Sequence, residues 1–214
     1  MGQDKIVIGV DFDNTIADYD EMMHGLAFKA GLIDKNVSVS KQKIRDQVRS
    51  LENGEIKWQK LQAMAYGEFM SGAKLIEGVH GFFSNCHHQA IPVFIVSHKT
   101  QFAAQDQNNV DLHGAALAWM KEKRFFQDWP AGLAIKEEHV FFELNRQKKI
   151  ERIGNLGCTH FIDDLLETFL EVSFPKSTRK ILYSPSVPNR TNQDILVMSS
   201  WEEIHDHFFT SIRK

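Results

Sequence analysis

Cysteine and proline are scarce in this chain, two and five residues among 214. Cys86 and Cys158 build no disulfide framework, so a small crosslinked scaffold is excluded. No uninterrupted apolar run reaches the length of about eighteen residues that a transmembrane helix needs. Neither sign of charge dominates: 25 Lys and Arg against 28 Asp and Glu leave a formal charge of −3. That supplies no overall field for nucleic acid or for an anionic membrane, and neither partner is expected. The patterns G-x-x-x-x-G-K-[ST] and G-x-G-x-x-G are both missing, which removes a P-loop and a dinucleotide site. Met1-Gly2-Gln3-Asp4 carries no basic stretch leading into an apolar one, so no secretory signal is expected. Ile6 stands where myristoylation of Gly2 would want Ser or Thr. A reduced, cytoplasmic protein is the expectation.

What is there is an ordinary globular composition, 43% hydrophobic and 25% charged. The length fits one large domain, or a core domain with a small insertion. Ile6-Val7-Ile8-Gly9-Val10 reads as a short buried strand. Helical spacing follows from about Ile16 to Lys29 (Met22, Met23, Leu26, Phe28), stopping at Gly31. A second helix capped by Ser38 or Ser40 runs through Ile44, Val48 and Leu51 to Asn53-Gly54. A third spans about Ile56 to Met70 with Trp58, Leu61, Met64, Ala65 and Phe69 on its apolar positions.

Beyond Gly78 the texture changes to short apolar runs alternating with helical segments. Strands are expected at Ile91–Val96, His139–Phe142, Thr159–Ile162, Lys180–Tyr183 and Ile195–Met198. Helices are expected at Val79–Gln89, Leu112–Phe126 and Lys148–Leu156, with a last one from Trp201. Ser184–Gln193, with Pro185 and Pro188, is expected as a loop. Alternation of this kind predicts an α/β fold, a doubly wound parallel sheet with helices on both faces.

In such a sheet ligands sit beyond the carboxyl ends of the strands. The first strand ends in Asp11-Phe12-Asp13, two acids at i and i+2 that point the same way on extended chain. Carboxylates that close repel unless a proton or a cation lies between them. The strand ending at Val96 leads into Ser97-His98-Lys99-Thr100, and the one ending at Ile162 into Asp163-Asp164. Lys148 and Lys149 precede that strand on a helix. Acids, a hydroxyl and a lysine converging on one sheet edge suit phosphoryl transfer with a carboxylate nucleophile. Mg²⁺ takes oxygen ligands, the hydroxyl and lysine hold the transferred group, and one carboxyl attacks while another moves protons.

Asp11-Phe12-Asp13-Asn14-Thr15, the strand ending in Ser97, the lysine pair and Phe161-Ile162-Asp163-Asp164 resemble, in order and in context, the four motifs of the haloacid dehalogenase superfamily. Glu77-Gly78-Val79 is similar to the family's return to its core after a cap. The resemblance implies a Rossmann-like core of residues 1–15 and 76–214 and a small helical cap of residues 16–75. It implies Asp11 as nucleophile and Asp13 as general acid and base. Asp11, the main-chain carbonyl of Asp13 and Asp164 would bind Mg²⁺, with Asp163 beside them. Ser97 would hydrogen-bond a phosphoryl oxygen, and Asn14, Thr15 and His98 would border the phosphate. Lys149 is preferred to Lys148 because it immediately precedes Ile150; the two lie about 100° apart on a helix, so only one faces the site.

The family's halide-removing branch lacks an acid at the position of Asp13, and its phosphonate-cleaving branch has a small residue there. This chain therefore resembles the phosphatase and phosphotransferase branches. The implied reaction is hydrolysis of a small phosphomonoester, a sugar phosphate or a nucleoside monophosphate. A phosphomutase-like transfer to a second hydroxyl is the rival within the family, and a non-enzymatic binder of phosphorylated ligands the rival outside it. Tyr19, Arg45, Arg49, Lys57, Trp58 and Tyr66 are the cap residues considered for substrate contact, against the simpler expectation of packing or solvated charge. Cys86-His87-His88 and Cys158-x-His160 fit no usual zinc spacing.

Overall fold

A computed structural model describes residues 5–103, 109–185 and 194–210. The elements in chain order are β1 (Ile8–Val10), β2 (Ala17–Asp18), α1 (Asp20–Lys29), α2 (Lys41–Arg49), α3 (Gly54–Tyr66), β3 (Lys74–Leu75), α4 (Val79–His88), β4 (Val93–His98) and α5 (Leu112–Glu122). They continue as β5 (Val140–Glu143), α6 (Arg146–Asn155), β6 (His160–Asp163), α7 (Leu166–Leu170), β7 (Arg179–Tyr183), β8 (Ile195–Met198) and α8 (Trp201–Phe209). Among the described residues no helix is long and apolar enough to cross a membrane. Most of the expected loop at Ser184–Gln193, residues 186–193, lies outside the described residues.

Six strands form one parallel sheet in the order β5-β4-β1-β6-β7-β8, the doubly wound α/β architecture expected from the alternation. Sequence order reverses at β1, which lies between β4 and β6. The crevice at such a reversal is where an open α/β sheet holds ligands. Val10 pairs with Ile95 on one side and Ile162 on the other, so Asp11 comes level with Asp163, and the Asp11 N–H bonds to the Ile162 carbonyl at 2.8 Å. Gly9 admits the ring of Phe161: a Cβ there would lie 2.5 Å from Cδ2 of that ring. One face of the sheet is closed by Ile150 and Ile153 of α6, buried with Val96, Phe161, Phe169 and Phe174. The opposite face receives α4 and α8, where Phe82 packs on Trp201 and Phe208, and Phe208 on His160.

Several boundaries move for identifiable reasons. β4 starts at Val93 because Pro92 has no N–H for the ladder; it extends to His98 because Ser97 and His98 pair with Phe142 and Glu143. The stretch expected to be helical from Ile16 opens instead as β2, paired with β3. Asp18 then accepts the Asp20 N–H at 2.8 Å, a local turn that starts α1. Ser40 is the N-cap of α2, yet its hydroxyl makes no capping bond; Asp20 supplies the acceptor for Lys41 N–H at 2.8 Å. α5 stops at Glu122, short of the expected Phe126, because Arg124 turns the chain with φ +63°.

By its internal packing the chain divides into a unit of residues 1–16, 75–98 and 124–214 and a second unit of residues 17–74 and 99–123. The second holds α1, α2, α3 and α5, tied by the Trp119 indole N–H donating to the Ala73 carbonyl at 2.9 Å. Lys99–Lys123, expected within the core of residues 76–214, therefore belongs to the second unit. Pattern alone could not assign α5, since an amphipathic helix packs equally well on helices or on a sheet.

Two glycines of the second unit have opposite surroundings. A Cβ at Gly54 would lie 2.4 Å from the Arg49 carbonyl oxygen, whereas nothing lies within 4 Å of one at Gly25 inside α1. Gly54→Ala should cost about 1–3 kcal/mol; Gly25→Ala should add up to about 1 kcal/mol through helix propensity. Thermal denaturation of both variants checks the opposite signs. His160, buried at the start of β6, is pushed down to about 4 by burial, with the charges of Arg179 and His207 acting the same way. The folded chain therefore binds fewer protons there than the unfolded chain between pH 4 and the ordinary histidine value of 6.5. Stability should fall as pH drops through that window, and His160→Phe should flatten the fall in denaturant titrations across it.

Candidate active site

The site is built at the carboxyl edge of the sheet, where β1, β4 and β6 end. α6 is capped by Asn145, whose side chain accepts the Lys148 N–H at 2.9 Å. The helix turns Lys149 inward with Ile150 and Ile153, while Lys148 points out and pairs with Glu151 at 2.7 Å. Lys149 Nζ donates to Asp11 Oδ1 at 2.6 Å and to Asp163 Oδ2 at 2.7 Å. The three side chains are 2%, 6% and 0% exposed. Asp163 uses its other oxygen to accept the Leu165 N–H at 2.9 Å. Lys148, the alternative to Lys149 for holding the phosphate, points away from Asp11 and Asp163 because it lies about 100° round the helix from Lys149.

One ammonium between two buried carboxylates leaves an excess of negative charge. Burial, with the charges of Asp163 and Asp13, pushes Asp11 up to about 6 against the opposing pull of Lys149. Burial alone would lower Lys149, but the attraction of Asp11 and Asp163 outweighs it and the net movement is upward. Partial burial and the Lys149 charge push the His98 imidazole down, so it is neutral at pH 7.

Asp13, Asn14 and Thr15 form a tight turn after Asp11. Asn14 takes a left-handed conformation at φ +62°, which asparagine tolerates better than most residues. The Ile16 N–H closes the turn on the Phe12 carbonyl at 2.9 Å. Thr15 is fully buried: its hydroxyl lies 3.5 Å from Asp11 Oδ2 and accepts the Asp164 N–H at 3.1 Å. Thr15 thus braces the acids, touching Asp11 and Asp164 at once. Ser97, 1% exposed, lies one register position beyond the level of Asp11 on β4.

Carboxylate oxygens of Asp11, Asp163 and Asp164 lie within 4.8 Å of one another, a group able to hold a metal ion. An all-oxygen set with excess negative charge fits a hard divalent cation such as Mg²⁺ and not a thiolate- or imidazole-seeking metal. Among the described residues Cys86, His87, His88, Cys158 and His160 form no such group. In the second unit Tyr19 and Trp58 are core residues, with Tyr19 edge-on to Tyr66 at 4.8 Å, and Arg45 and Arg49 pair with Asp46 and Glu55. A residue the sequence did not signal is Trp201, whose indole N–H donates to the Thr15 carbonyl at 2.9 Å across 186 positions of chain. No short-range pattern reports a contact of that separation.

No family model and no curated protein matches the chain. Solved structures are similar in fold. A HAD-superfamily hydrolase from Ehrlichia chaffeensis superposes with a TM-score of 0.53 at 13% identity over 100% of both chains. A phosphoserine phosphohydrolase-like protein from Francisella tularensis gives 0.56 at 12% identity over 98% of this chain and 100% of its own. A HAD family hydrolase from Deinococcus radiodurans, with bound phosphate and sodium, gives 0.54 at 11% identity over 97% and 96%. The fold of this chain is the haloacid dehalogenase fold.

Removing Lys149 would leave two buried carboxylates without their cation. Lys149→Met should destabilise the protein by about 3–5 kcal/mol at pH 8, and by less at pH 5, where Asp11 takes up a proton. Lys148→Met should change stability by no more than about 0.5 kcal/mol. Urea denaturation of both variants at the two pH values makes the comparison.

Proposed function

We propose that this chain is a Mg²⁺-dependent phosphatase of the haloacid dehalogenase superfamily that hydrolyses a small phosphomonoester through an aspartyl-phosphate at Asp11. The observation that carries it is the Asp11 carboxylate, gripped by Lys149 at 2.6 Å beside Asp163, with a second acid, Asp13, on the turn that follows. Two of the solved structures of this fold support it: one is described as phosphoserine phosphohydrolase-like and another holds phosphate.

Asp11 attacks phosphorus in line, and its oxygen forms the new P–O bond as the ester oxygen departs. Asp13 donates a proton to that oxygen, so the leaving group departs as an alcohol. Deprotonated Asp13 then takes a proton from water, whose oxygen attacks phosphorus and returns Asp11 as a free carboxylate together with inorganic phosphate. Burial serves this sequence: it raises the basicity of Asp11 and hence its reactivity, yet leaves it mostly ionised above about pH 6. The Lys149 ammonium and the Ser97 hydroxyl would hold the phosphoryl oxygens as charge redistributes. Asp11, Asp164 and the Asp13 carbonyl would hold the ion, with Asp163 beside them; bound there, Mg²⁺ would neutralise phosphate charge and orient the group for in-line attack. In this reading residues 16–75 are the cap, and the protein works in the cytoplasm.

Incubation with a panel of sugar phosphates and nucleoside monophosphates should release phosphate with Mg²⁺ and not with EDTA. Asp11→Asn should abolish release while its circular dichroism and melting stay those of a folded protein. Turnover retained by Asp11→Asn would dismiss Asp11 as the nucleophile.

A further inference from the structure

Trp201 lies at the first position of α8, 1% exposed, far in sequence from every acid of the site. Its placement is specified from three directions. Ser200 accepts the Glu203 N–H at 3.1 Å, and the Glu203 carboxylate accepts the N–H of the preceding Ser199 at 2.7 Å; together they set where α8 starts. The rings of Phe82 and Tyr183 lie 5.1 and 6.2 Å from the indole. Gly78, at φ +87°, admits the Trp201 backbone and Cβ, since a Cβ at residue 78 would lie 2.6 Å from Cβ of Trp201. A side chain held this firmly directs its one polar atom, Nε1, to the Thr15 carbonyl at 2.9 Å. Thr15 is the residue whose hydroxyl lies against Asp11 and receives the Asp164 amide.

We infer that Trp201 is a positioning residue: its indole N–H anchors the Asp13–Ile16 turn and so sets where Asp13 and Thr15 stand relative to Asp11 and Asp164. A plain core role would need only the ring, and a phenyl or an isosteric bicycle would fill it. A positioning role needs the N–H. The distinction matters because the turn carries a left-handed Asn14; a turn in a sparsely populated conformation holds its shape only where its surroundings impose it. The kinetic part of this inference rests on the proposed phosphatase reaction, whereas the structural part does not.

Two replacements separate the roles: Trp201→Phe, and incorporation at 201 of 3-benzothienylalanine, which keeps the bicyclic shape with sulfur in place of N–H. Hydrogen–deuterium exchange of peptides spanning residues 11–16 should rise about fivefold in both proteins, with exchange in β7 and α6 unchanged. Phosphate release should show kcat lowered roughly tenfold with KM within about twofold, as expected when the proton donor Asp13 is misplaced relative to Asp11 but binding contacts persist. Should Trp201→Phe fold poorly, the isosteric replacement decides. Wild-type exchange and kcat in the benzothienyl protein, or exchange raised equally across β7 and α6, would overturn the inference. If the wild-type protein releases phosphate from no compound, the phosphatase reading fails and the exchange comparison alone decides the role of Trp201.

Discussion

Lys149, with its ammonium between Asp11 and Asp163, imposes the condition that the rest of the first unit must meet. Placing three charges beyond the reach of water is costly, and their mutual attraction offsets the cost only when the geometry is right. Both oxygen–nitrogen distances are those of short charge-assisted hydrogen bonds. To satisfy them, β1 and β6 must pair so that Asp11 is level with Asp163, and α6 must seat Lys149 over the same edge. A slip of one residue between β1 and β6 would turn Asp163 to the other face of the sheet and leave the ammonium with one partner. The pairing register, the seat of α6 and the site are thus one arrangement. Phe161, two residues before Asp163, packs with Ile150 and Ile153 on the same face and reinforces that register by apolar contact.

The arrangement is deliberately short of positive charge. Two carboxylates share one ammonium, Asp164 stands beside them and Asp13 adds its field from the next turn, so the burden falls on Asp11 as a carboxyl more basic than usual. A site made only to be stable would have matched its charges or used apolar side chains. Excess acid gathered at the reversal point of a parallel sheet is instead the kind of oxygen-rich, negatively charged group that a hard cation requires. Thr15 joins the two halves of this edge, touching Asp11 through its hydroxyl and α8 through its carbonyl. The C-terminal helix thereby bears on the first loop of the chain.

Much of this was legible in the order of residues. Short β-branched runs at Ile8, Ile95, Ile162, Ile181 and Ile195 announced buried parallel strands, and β8 starts and ends where its four apolar residues do. Acids at the ends of β1 and β6 announced the working edge, because strand polarity in a parallel sheet brings all carboxyl ends together. The preference for Lys149 over Lys148 followed from helical angle and the apolar neighbour Ile150. These signals are local: each depends on residues a few positions apart and on the period of one element.

What the sequence by itself determined was therefore the set of elements, their polarity and the residue types gathered at one edge. Tertiary structure alone decided which acid oxygen meets which donor, that Thr15 braces the acids, that Lys99–Lys123 leaves the sheet-containing unit for the helical one, and that an indole 186 positions away grips the first turn. The physical reason is common to all four. They are contacts between elements remote in sequence, chosen by register, shape and the need to pair every buried polar group, and no local period encodes them.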